Sequence, residues 1–89
     1  MKSRTTERFR RALARLPANV QEQARSAFAI WREAPDHPSL QFKRIHSRDP
    51  VYAVRIGIHW RALAVLRNDT AVWFWIGHHS KYDTLVSQF

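Results

Sequence analysis

The sequence predicts an α+β domain in which an N-terminal helix hairpin packs on one face of a four-stranded antiparallel sheet and a short C-terminal helix follows. Two observations carry this. Apolar residues recur at helical spacing up to Pro35 and then alternate with period two. Helices first and a strand meander afterwards is the order of a segregated α+β fold.

In "TTERFRRALARL", Phe9, Leu13 and Leu16 form a narrow apolar stripe on a basic helix, with Thr5 or Thr6 as cap and Pro17 as stop. "ANVQEQARSAFAIWREA" is the second helix, with Val20, Ala24, Ala27, Phe28 and Trp31 inward, Asn19 as N-cap and Pro35 ending it. "SLQFKRIH" alternates as a first strand, with Leu40, Phe42 and Arg44 on one face, and "SRDP" is a turn. "VYAVRIGI" puts Tyr52, Val54, Ile56 and Ile58 on one face and Ala53, Arg55, Gly57 and His59 on the other. "WRALAVL" is a third strand, with Arg61, Leu63 and Val65 on one side. "RNDT" is a hairpin turn. "AVWFWIG" sets Val72, Phe74 and Ile76 against Trp73 and Trp75, and "SKYDTLVSQF" is a helix capped by Ser80. The later strands are apolar on both sides, so the second sheet face is expected to be covered or used.

Eighty-nine residues fit one domain spanning 1–89, without repeats or linkers. No cysteine is present, which excludes disulfides and thiolate metal sites and suits a reducing cytoplasm. The "KSRTTERFRR" start carries no apolar signal core, and no apolar run is long enough to span a membrane. Fifteen Lys and Arg against seven Asp and Glu give a net charge of +8, and all but Lys2, Lys43 and Lys81 of the cations are arginine. Arginine forks phosphate and stacks on bases, so nucleic acid or an acidic protein is the expected partner.

The best strand ends in a cluster of titratable groups, "WIGHHSKYDTL". Pairing about the "RNDT" turn sets Arg61 close to Gly77, beside His78 and His79, with Tyr82 three residues further on. A cation beside imidazoles and a phenol suits metal-independent RNA cleavage. Such chemistry needs a base for the ribose 2′-hydroxyl, an acid for the leaving 5′-oxygen and a cation for the phosphoryl charge. The plainer alternatives are polar surface histidines, an Arg61 ion pair with Asp83 or Glu33, and core tryptophans. No cofactor and no metal are expected, because His78 and His79 project oppositely on an extended strand.

The chain resembles the RelE/ParE superfamily of bacterial toxins over most of its length, from "LPANVQEQARSAFAIW" to the end. "HPSLQFKRI" resembles the family's passage into its first strand. "VYAVRIGIHWRAL" resembles its strand pair, with arginines at Arg55 and Arg61 and Trp60 in the aromatic position. "VWFWIGHHSKYDTL" resembles its final strand and exit, where His79, Tyr82 and Asp83 match a Gly-x-His-x-x-Tyr-Asp pattern. The resemblance implies a cytoplasmic toxin neutralised by a cognate antitoxin. RelE-like members cut mRNA on the ribosome, and ParE-like members inhibit DNA gyrase. A non-catalytic RNA-binding relative is a further alternative. Carried over, Arg61, His79 and Tyr82 are the expected catalytic residues. Arg61 stabilises phosphoryl charge, His79 acts as acid or base, and Tyr82 assists or shares that role. Lys43, Arg55, His59, His78 and Lys81 are expected to contact RNA. Where some members have lysines, this chain has Val51 and Ala53, and His59 or His79 is expected to serve as base instead.

Overall fold

The computed structural model describes residues 1–46 and 48–88. The expected turn at 47–50 therefore begins on a residue outside the described set, Ser47, and the C-terminal helix segment ends on another, Phe89. The elements in order are β1 (Lys2–Thr5), α1 (Glu7–Ala14), α2 (Ala18–Glu33), a 3₁₀ turn (Pro38–Leu40), β2 (Lys43–Arg44), β3 (Val51–Ile56), β4 (Trp60–Arg67), β5 (Thr70–His78) and α3 (His79–Ser87).

The sheet has five strands in the order β1-β5-β4-β3-β2. The β2–β5 meander is antiparallel, as expected. The fifth strand is a correction. β1 pairs parallel to β5, from Lys2 opposite Thr70 to Thr5 opposite Trp73, so the sheet is mixed. "KSRT" has no apolar residue and every residue in it is exposed, so no burial pattern marks it. Backbone pairing to an open sheet edge is what makes it a strand.

Thr6 caps α1, its Oγ1 accepting from the Phe9 amide at 3.0 Å. α2 begins at Ala18, so Asn19 lies inside its first turn and Pro17 holds the cap position instead. Gln21 completes the join, its Nε2 donating to the carbonyls of Ala14 and Leu16 at the end of α1. Leu40 sits in the 3₁₀ turn and Gln41 turns left-handed (φ 45°), so the first meander strand shrinks to Lys43–Arg44. β3 stops at Ile56 because Gly57 adopts φ +59°. Ile58 and His59 thus lie in a turn rather than a strand, and Ile58 is 68% exposed. The α3 cap is the His78 ring, whose Nδ1 accepts from the Ser80 amide, and not Ser80.

The core lies between the two long helices and the sheet. Phe9, Ala24, Ala27, Trp31, Leu40, Val54, Ile56, Ala62, Ala64, Ala71, Trp73 and Ile76 form it. Trp73 and Ile76 are three residues apart, yet both face the helices. A bulge permits this: Ala64 pairs with Trp73 and Leu63 with Trp75, so Phe74 is the extra residue. The expected split of Val72, Phe74 and Ile76 from Trp73 and Trp75 is corrected accordingly. The bulge also sets the site. The ladder running from Arg67–Thr70 would place Arg61 opposite Ile76 if unbroken. With one extra residue, Arg61 stands opposite Gly77.

The hairpin is closed by Asn68 (φ 49°) and Asp69 (φ 63°), a two-residue turn with both positions left-handed. Short polar side chains tolerate that conformation and branched ones do not. Asp69→Val is expected to cost about 1–2 kcal/mol, read as a lower urea midpoint at unchanged m-value. A midpoint equal to wild type would show that the turn is not held left-handed in solution.

Candidate phosphate cleft and histidine cluster

Paired residues in a ladder share a sheet face. Arg55 pairs with Arg61, Lys43 with Ala53, and Arg61 with Gly77, so three cations gather on the face away from α1 and α2. α3 folds back across β4 and β5 on this side and supplies Tyr82. The result is a small cleft of about 200 Å³ lined by Gln41, Lys43, Ala53, Val54, Arg55, Arg61, Tyr82 and Asp83. Ala53 supplies its apolar floor and is buried, as the two-sided strand pattern predicts.

Arg61 is half-buried. Its Nη1 donates to the carbonyls of Trp60 (2.8 Å) and Ile58 (3.3 Å), which fixes the arm against the β3–β4 turn. Its guanidinium carbon lies 6.0 Å from the centre of the Tyr82 ring. Among the described residues it makes no ion pair, with Asp83, Glu33 or any other acid. Arg55 donates from Nε to the Gly57 carbonyl at 3.0 Å and lines both this cleft and the groove beside α2. Gly77 is required opposite Arg61. A Cβ there would meet the Trp75 ring at 2.6 Å, because that indole lies across the glycine.

Burial pushes the Tyr82 hydroxyl above its usual range, opposed by the Arg61 charge and reinforced by Asp83. The phenol therefore holds its proton at neutral pH. His78 is shifted the other way, by desolvation and by the neighbouring His79 and His59.

The expected site residues divide into two groups. Lys43, Arg55, Arg61 and Tyr82 share the cleft. His59, His78 and His79 form a separate cluster at its end. Asp83 joins the two, lining the cleft while its Oδ2 lies 3.7 Å from His79 Nδ1. Lys81 is exposed on α3 and belongs to neither group. The expectation that His78 and His79 diverge is corrected: the strand ends at His78 and a helix begins at His79, which brings their ring centres to 4.4 Å. Gln41 was not anticipated as a cleft residue. Its left-handed backbone is what turns it there, and nothing in "SLQFKR" marks that. Lys43 pairs with Ala53, one of the two positions where some members have lysine.

A family model described as a ParE-like toxin domain matches residues 18–84. The chain belongs to the ParE-like toxin family. It thereby falls in the RelE/ParE superfamily that its motifs resemble. No curated protein matches this family member by sequence. Its fold is similar to that in the RelB–RelE antitoxin–toxin complex from Methanococcus jannaschii, with TM-score 0.72 and 18% identity over 91% of this chain and 96% of that one. The RelE–RelB complex from Pyrococcus horikoshii OT3 gives TM-score 0.72 and 12% identity over 90% and 96%. The isolated RelE toxin of E. coli gives TM-score 0.65 and 15% identity over 98% and 96%. At these identities the likeness is one of fold. Among the described residues, no helix of this ParE-like chain is long and apolar enough to cross a membrane.

Proposed function

We propose that this protein is the toxin of a toxin–antitoxin pair and that it cleaves mRNA on the ribosome. The Arg55–Arg61 cross-strand pair carries the reading. Like charges directly opposite in a ladder destabilise a sheet by roughly 0.2–1 kcal/mol, so two facing guanidiniums are a cost unless an anion lies between them. A phosphodiester is such an anion, and guanidinium matches its oxygens in pairs. Lys43 extends the positive strip along the backbone.

In the reaction the ribose 2′-oxygen attacks the adjacent phosphorus and the bond to the 5′-oxygen breaks. The products are a 2′,3′-cyclic phosphate and a 5′-hydroxyl. Arg61 stabilises the charge that grows on the phosphoryl oxygens. Tyr82, which keeps its proton, is suited to protonate the leaving oxygen. His79 takes the 2′-hydroxyl proton, its ring oriented by the Asp83 carboxylate 3.7 Å from Nδ1. The antitoxin is the second partner. An acidic amphipathic segment matches the +8 charge and would cover exposed Ile30 and Ile58, which flank a groove of about 630 Å³ between α2 and the β3–β4 turn.

The test is induction without antitoxin followed by mapping of new mRNA ends. Cuts within translated codons, absent when translation is blocked, are the expected result. Gyrase inhibition is the second reading, favoured by the ParE-like description of the matching family model. It predicts intact mRNA and a DNA-damage response.

The role given to Tyr82 has its own check. Tyr82→Phe is expected to slow cleavage roughly 10²-fold or more in a ribosome assay, with the fold intact. The difference in tyrosinate absorbance between wild type and Tyr82→Phe should show Tyr82 ionising above pH 10. Asp83→Asn should bring that step down and Arg61→Ala should raise it. An ionisation step at or below neutral pH in the wild type would remove the phenol as the acid.

A further inference from the structure

Three imidazoles meet where two chain segments cross. His59 closes the β3–β4 turn, His78 ends β5 and His79 opens α3. The His79 amide donates to the His59 carbonyl at 2.7 Å, which pins the turn to the start of the helix. Ring centres lie 4.4 Å apart for His78 and His79, 5.9 Å for His59 and His78, and 6.0 Å for His59 and His79. One ring nitrogen from each lies within 4.8 Å of the other two.

We propose that His59, His78 and His79 form a binding site for a divalent transition-metal ion of the zinc class. Tetrahedral ligands about 2.0–2.1 Å from zinc stand about 3.4 Å from one another, so the rings must close by little more than an ångström. The rings are exposed or half-buried, and small side-chain rotations supply that movement. The donor set selects the ion. Three imidazole nitrogens without a carboxylate or carbonyl among them suit zinc, nickel or copper and not the oxygen-seeking magnesium or calcium. Outer contacts orient two of the rings. His79 Nδ1 faces Asp83 Oδ2 at 3.7 Å, which leaves its Nε2 to ligate; His78 offers Nε2 only in the tautomer that protonates Nδ1, which then donates to Ser80 Oγ at 3.0 Å and gives up the Ser80 amide. Three protein ligands leave a fourth position open.

Metal binding at this site is independent of the nuclease reading. One consequence rests on that reading: an ion holding His79 takes the lone pair that would accept the 2′-hydroxyl proton, so zinc should inhibit cleavage.

The experiment is a titration of the metal-free full-length protein with Zn²⁺ by calorimetry and with Co²⁺ by visible absorption. We expect one ion per chain, a tetrahedral Co²⁺ spectrum that Zn²⁺ abolishes, and no competition from Mg²⁺. His59→Ala, His78→Ala and His79→Ala should each weaken binding by at least roughly 10–100-fold. His37→Ala, in the segment before the 3₁₀ turn, should bind like wild type, and circular dichroism checks the fold of every variant. The absence of saturable binding at millimolar Zn²⁺ would overturn the site, as would undiminished binding in the triple variant. A wild type that binds Zn²⁺ and cuts mRNA equally fast with the ion bound would leave the site standing and overturn the role of His79 in cleavage.

Discussion

Replacing Arg61 by alanine is expected to leave a folded protein that no longer cuts mRNA. Cleavage should fall by about 10²–10³-fold, the usual cost of losing one preorganised group aimed at transition-state charge. The structure explains why the fold should survive. Among the described residues, Arg61 bonds to the backbone carbonyls of Ile58 and Trp60, lies over Tyr82 and holds no buried acid in place. Its removal also relieves the repulsion from Arg55 across the ladder. Stability should therefore change by no more than about 1 kcal/mol. Arg61→Lys separates charge from geometry. Lysine restores a point charge without the paired donors, so activity should recover only in part. The measurement is cleavage by purified variants on programmed ribosomes, with thermal melts alongside. Wild-type cleavage by a fully folded Arg61→Ala would remove the cleft as the catalytic centre.

Trp73→Ala is expected to do the opposite: to unfold the protein rather than silence it. Trp73 is 1% exposed and packs against Phe28 (ring centres 5.0 Å) and Trp31 (5.3 Å). Its Nε1 donates to Ser3 Oγ at 3.1 Å, so the same side chain ties the edge strand β1 to the core. Truncating a buried tryptophan costs about 3–5 kcal/mol. A domain of this length has only roughly 4–13 kcal/mol in total. The melting temperature should drop by well over 10 °C, at about 4–8 °C per kcal/mol. Trp31 offers an internal comparison. It is equally buried, but its Nε1 has no hydrogen-bond partner, so Trp31→Phe removes an unmet donor along with some volume. It should cost less than Trp73→Phe, which breaks the link to Ser3. Equal losses in the two phenylalanine variants would show that the Ser3 contact contributes nothing.

Much of the fold was legible in the residues themselves. The helix periodicity to Pro35, the Thr6 cap, the "RNDT" hairpin and the meander are local or nearest-neighbour patterns, and they stand as expected. β1 was not legible, because an exposed polar strand is defined by the edge it pairs with and not by its own composition. The bulge at Phe74 was not legible either. Alternation presumes an unbroken ladder, and the bulge is chosen by the need to bury both Trp73 and Ile76. The site shows the same division. Arg61, Arg55, Lys43 and Tyr82 were singled out in advance and lie in one cleft, whereas Gln41 reaches it through a left-handed turn that no residue pattern marks.

By itself the sequence determined the helices and the antiparallel meander, the strong positive charge and the collection of histidines and a tyrosine after Gly77. Those follow from side-chain chemistry and local periodicity. The tertiary structure alone decided which of these groups meet. Strand register, one inserted residue and the helix that starts at His79 set the cations and the phenol in one cleft and the three imidazoles together at its end. Such contacts join residues far apart in the chain, and only the packed sheet fixes their distances.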